Sequence, residues 1–229
     1  MVSYTFPFDT CESVISDDHP STRPIQPWSF AINLMSTLWL LGASLLLART
    51  PIVRATLIAY AAFEAWHTLS HFRHLGDRPK FQMFVVHVLG YFMSIFTFIA
   101  MSVLAKDFRI HVVWATAIIA AVVFDIYFYL FVGGVWTIFG GLSVMALVVL
   151  ANIHKVPRHL LPLLLAVIVG VAALLGLFVN EAYNCEKMRR RWGARVPFHA
   201  AIEILGFLLF FGLSLFFLYW ESHLHNMGM

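Results

Sequence analysis

Charge is scarce in this chain: Asp, Glu, Lys and Arg together make up 12% of its 229 residues, against roughly 25% in a soluble domain. That shortage excludes a water-facing globular surface. Internal repeats, low-complexity tracts and long soluble linkers are also missing, which leaves no basis for a second domain or a solenoid. Gly-rich phosphate cradles and a basic, aromatic-studded nucleic-acid face are absent as well. The first 27 residues carry Asp9, Glu12, Asp17 and Asp18 and show no basic stretch leading into an apolar core. A cleavable signal peptide is therefore not expected, and the acidic N-terminal segment stays attached.

What is present is hydrocarbon. Hydrophobic residues are 61% of the chain and the mean hydropathy is +0.82, so an integral membrane protein of the all-α class is expected. At about 20 residues per span, the length accommodates a seven-helix transmembrane bundle over residues 28–221, with an acidic segment 1–27 before it and a short tail 222–229 after it. Punctuation between apolar runs places the spans at 28–47, 52–73, 81–105, 110–132, 135–153, 157–180 and 196–220. Gly133 and Gly134 separate the fourth from the fifth, and Pro51, Pro157 and Pro197 stand at span starts, where a missing N–H is harmless. Gly140, Gly141 and Gly170 read as points of close helix packing. Trp28, Trp192 and Trp220 read as interfacial anchors, and the many Phe of the seventh span as lipid-facing bulk.

Orientation is pulled two ways. Nine Lys and Arg lie on the N-terminal face and six on the other, which by count favours a cytosolic N-terminus. Five of the nine, however, come from the single loop 187–195. Cys11 and Cys185, the only two cysteines, share the N-terminal face by span parity. A luminal face would let them pair, although two free thiols fit equally well. We take the N-terminus as luminal.

Ionisable groups inside hydrocarbon are expensive unless paired, hydrated or bound to a cation, so each one is a functional candidate. With a helix rise of about 1.5 Å per residue, His67, His87 and Glu203 all fall roughly 10 Å below one membrane face. Asp125 and Glu64 come slightly deeper, at about 12 and 15 Å, and His71 and His199 slightly shallower. Glu64, His67 and His71 occupy one stripe of the second span, and His199 and Glu203 are an i, i+4 pair on the seventh. Imidazole and carboxylate at one depth are the ligand chemistry of a zinc site. The expected ligands are His67, His199 and either Glu203 or His87, with His71 in support. Glu64 and Asp125 are the candidate proton-handling carboxylates. A cation at that depth is reached most readily by a lipid, and the implied reaction is hydrolysis of a lipid amide or ester.

Other classes fit less of the pattern. A di-iron lipid hydroxylase would use His67, His71 and His74 as a histidine box, but needs further boxes that are absent. A b-type haem would use His67 with His87 or His199. A non-enzymatic receptor or scaffold would keep the cluster as structural polar contacts. A retinal protein is disfavoured because the seventh span has no lysine.

Three stretches carry a resemblance. Phe-Asp-Thr-Cys-Glu at 8–12, Trp-His-Thr-Leu at 66–69, and Asn-Cys-Glu at 184–186 followed by Phe-His-Ala at 198–200 resemble motifs of the alkaline ceramidases. These belong to the CREST superfamily of seven-span metal-dependent hydrolases. The resemblance implies zinc on His67 and His199, a Cys11–Cys185 disulfide, calcium at the acidic N-terminal segment, a sphingolipid substrate, and an endoplasmic reticulum or Golgi membrane. The chain departs from that pattern at Glu64, His87 and Glu203, where the family has a serine, an aspartate and a histidine; each replacement is itself a metal-ligand type or close to one.

Overall fold

The computed structural model describes residues 24, 26–72, 79–106, 150, 153–192 and 198–227. Regular structure among them is helical, and one isolated bridge joins Pro24 to Phe72. The helices are α1, Pro27–Gly42, extended by a π-helical turn Ala43–Leu47; α2, Pro51–Ser70; and α3, Pro79–Leu104. Short 3-10 turns at Ile153–Lys155 and Arg158–Leu160 then lead into α4, Leu161–Trp192, and α5 is Phe198–Asn226.

Among the described residues, four stretches are long and apolar enough to cross a membrane: Pro27–Leu47, Phe84–Leu104, Arg158–Glu181 and Phe198–Asn226. That pattern is compatible with a multi-pass membrane protein. Helix α2 is not among the four; it carries Arg54, Glu64 and His67 and packs between α1 and α3. The expected spans 110–132 and 135–153, with Asp125 in the first, lie almost wholly outside the described residues.

The start of α2 has a local cause. Thr50 accepts from the Val53 N–H at 3.4 Å, and Pro51 then opens α2 where no N–H is needed. The same end is held from far along the chain, because Glu221 accepts from the Arg49 and Thr50 N–H groups, each at 2.9 Å, and from the Thr50 hydroxyl at 2.8 Å. A carboxylate beside an orphan helix N-terminus also complements its dipole.

Helix α1 packs against α2 and α5, α2 also against α3, and α4 against α5. Polar contacts pin these seams. Trp39 Nε1 donates to Ser214 Oγ at 2.8 Å between α1 and α5. The Tyr60 hydroxyl meets Thr97 Oγ1 at 2.5 Å between α2 and α3, and Thr97 in turn donates to the Met93 carbonyl. Between α4 and α5 side chains pack directly onto glycine backbone, since a Cβ on Gly170 would stand 2.5 Å from the Leu209 side chain and one on Gly212 would stand 3.1 Å from that of Val167. The packing role expected of Gly170 is thus observed; Gly140 and Gly141 lie outside the described residues.

Two aromatic expectations are corrected. Trp220 is no interfacial anchor but a core residue, 1% exposed and edge-on to Phe216 at 5.4 Å. Phe216 and Phe217 are likewise buried rather than lipid-facing. The apolar character of the seventh span was plain, but a residue facing lipid and one facing another helix present the same chemistry, so composition could not separate them.

Candidate metal centre

Apart from Glu221, the buried ionisable groups among the described residues gather at one end of the bundle, where α1 begins, α2 ends, the apolar part of α4 ends and α5 begins. Helix α5 contributes His199 and Glu203 one turn apart, and α2 contributes Glu64, His67 and His71 on one stripe, as the spacing predicts. The two stripes face each other. His199 Nε2 lies 2.9 Å from Glu203 Oε1, and His67 Nε2 reaches the same oxygen at 3.5 Å.

Every member is withdrawn from the surface: His199 is 0% exposed, Glu64 3%, Glu203 4% and His67 9%. Glu64 has Ser36 of α1 beside it and interacts electrostatically with Glu203. Rings close the lateral sides, with Phe63 6.2 Å from His67 and Phe178 6.3 Å from His199, centroid to centroid.

His71 occupies the outer end of the α2 stripe, its ring centroid 5.1 Å from that of His67. Both its nitrogens are engaged from the α1 side: Nδ1 with Oε1 of Gln26, the residue just before the helix, and Nε2 with Asn33 Nδ2 at 2.9 Å. An amide N–H donating to Nε2 leaves the ring proton on Nδ1, facing the Gln26 carbonyl. His71 is therefore held as a neutral imidazole by two amides.

Ligand atoms of His67, His71 and Glu203 lie within 4.8 Å of one another, and this group could hold a metal ion. The donor set fits a first-row divalent ion. Ligands at 2.0–2.1 Å from a tetrahedral centre stand about 3.3 Å from one another. Within that group His67 Nε2 stands 3.5 Å from Glu203 Oε1, close to that spacing, while His199, 2.9 Å from the same oxygen, is not one of its three members. An imidazole nitrogen and a carboxylate oxygen this close share either a proton or a cation.

The structure thus brings together His67, His71, His199, Glu203 and Glu64. His87 lies on α3, and its side chain is outside the described residues, as are Asp125 and Cys11; nothing of the Cys185 side chain is described either. The disulfide and the part expected of Asp125 accordingly stay as expectations.

Glu181 was not legible as a site residue. It is 0% exposed and its Oε2 lies 2.8 Å from His199 Nδ1. The expected sixth span ends at Asn180, yet α4 continues to Trp192, with a break in helical dihedrals at Asn184. No proline or glycine interrupts 177–192, so the apolar run ends there and the helix does not. Gln26, Ser29, Asn33 and Ser36 were also passed over, and all four are buried. Their spacing of i, i+3, i+7 and i+10 is a helical stripe, and that periodicity was the available signal. Comparisons with protein-family models, curated proteins and solved structures yield no match for the chain.

Proposed function

We propose that this chain is a membrane-embedded, zinc-dependent hydrolase of a lipid amide or ester bond, similar in activity to the alkaline ceramidases. The observation that carries the reading is the approach of His67 and His199, from two different helices, to a single oxygen of Glu203. Two imidazoles and a carboxylate buried in an apolar bundle have the composition of a catalytic rather than a structural ligand set, which keeps a fourth position for substrate.

Zinc, when bound, supplies Lewis acidity to a carbonyl and acidifies water to a pKa of about 7. The chain's own residues do the rest. His67, His199 and Glu203 would hold the ion, and Glu64, about one turn deeper on α2, would take the proton that hydrolysis releases and return it to the leaving group. The aromatic walls Phe63 and Phe178 exclude bulk water and present an apolar lining to an acyl chain. At roughly 10 Å below the membrane face, the centre sits near the level of a lipid's first carbonyl rather than of a soluble metabolite. A luminal N-terminus, residence in the endoplasmic reticulum or Golgi, calcium at the acidic N-terminal segment and a Cys11–Cys185 bond belong to the same proposal.

Elemental analysis and an optical spectrum of the purified protein test it. The expected result is one zinc per chain with no visible absorbance, less than a tenth of that in His67→Ala and His199→Ala, and release of fatty acid from ceramide-type lipids by wild type alone. Folded variants that retain full zinc, or a wild type that takes up none, would overturn the reading. Two irons or a haem band would move the protein to the hydroxylase or cytochrome class.

A further inference from the structure

We propose that Glu181 is a positioning residue for the metal centre: from α4 it holds His199 by Nδ1 and so turns Nε2 toward Glu203. This inference rests on the metal-centre reading and extends it to a helix that supplies no ligand. Three observations carry it. The contact runs from Oε2 to Nδ1 at 2.8 Å, and the two side chains are both fully buried. The opposite nitrogen of the same ring is the one that faces the cluster, 2.9 Å from Glu203 Oε1. Glu181 lies before the break at Asn184, in the regular part of α4, which packs along α5.

The chemistry follows from the two nitrogens of imidazole. A carboxylate at Nδ1 accepts that nitrogen's proton in a hydrogen bond, which leaves the Nε2 lone pair free to coordinate and raises its donor strength. His71 is handled differently, its Nδ1 facing the neutral Gln26 and its Nε2 already accepting from Asn33. The surroundings thus sort the two outer histidines. His199 is prepared as a strong ligand, and His71 is kept as a weaker one that must first release Asn33.

Glu181→Gln and Glu181→Met separate the hydrogen bond from packing, because the two replacements are similar in size and only Gln keeps an acceptor. Zinc affinity, measured by chelator competition, is expected to fall 10- to 100-fold in Glu181→Met and less than fivefold in Glu181→Gln. Nitrogen-15 NMR of histidine-labelled, metal-free protein is expected to show a hydrogen-bonded Nδ1 proton on His199 in wild type and Glu181→Gln, lost in Glu181→Met. Equal affinity and an unchanged His199 signal in a folded Glu181→Met protein would overturn the assignment. If wild type takes up no metal, the hydrolase reading fails while the NMR arm still decides whether Glu181 orients the ring.

Discussion

Nε2 of His67 lies 3.5 Å from Oε1 of Glu203, and this one approach across the α2–α5 seam joins the two stripes of ionisable residues into a single centre. The bundle arranges it from both sides. Helix α1 packs against both α2 and α5, while the far ends of α2 and α5 are tied together by Glu221. Five consequences can be measured.

Replacing Glu64 with Gln keeps its shape and removes its capacity to take a proton. On the proposed hydrolase reading, activity should fall about 10²- to 10⁴-fold, while zinc content by elemental analysis stays at the wild-type level. An equal loss of zinc would make Glu64 a ligand instead.

His199→Ala leaves Glu181 and Glu203 as buried carboxylates without the ring between them. Breaking such a buried pair costs about 3–5 kcal/mol, which unfolding titration in mixed micelles would report. Adding Glu181→Gln to His199→Ala should recover part of that loss, since it neutralises one of the stranded charges.

Glu221→Ala acts at the opposite end of the bundle. Three donors around Thr50 lose a charged acceptor, and a penalty of about 2–3 kcal/mol is expected. Zinc affinity should change little, because the centre lies at the other end of α2 and α5. A lower melting temperature with unaltered metal binding is the predicted pair of results.

Tyr60→Phe removes only the hydroxyl that meets Thr97, whose own bond to the Met93 carbonyl remains. Interhelical hydrogen bonds in membranes average about 0.6 kcal/mol, so the expected loss of stability is below about 1.5 kcal/mol. A larger effect would mean that the α2–α3 seam reorganises.

Gly212→Ile places a branched side chain where a Cβ alone would already stand 3.1 Å from Val167. Overpacking of this kind costs about 1–3 kcal/mol. Gly206→Ile on the same helix is the control, because its Cβ would meet nothing within 4 Å. Thermal unfolding of the two variants should therefore differ clearly.

The candidate centre was partly readable before any tertiary structure. Glu64, His67 and His71 on one stripe and His199 and Glu203 on another follow from helical periodicity, and their common depth follows from counting residues from each span's end. Glu181 is not legible there because an apolar run and the helix that carries it need not end at the same residue. The α1 stripe of Gln26, Asn33 and Ser36 escaped because uncharged polar residues in a membrane helix raise no alarm singly.

Amino-acid order alone determined that the chain is helical and bilayer-compatible, and which side chains share a helix face, since both depend on local hydropathy and a 3.6-residue turn. The fold decided which faces meet: that Glu203 stands between two imidazoles, that Glu181 holds one ring and α1 another, and that Trp220 is core rather than anchor. Rotation of a helix about its axis is chosen by its neighbours, and in hydrocarbon a lipid tail and a Leu side chain look alike until those neighbours are in place.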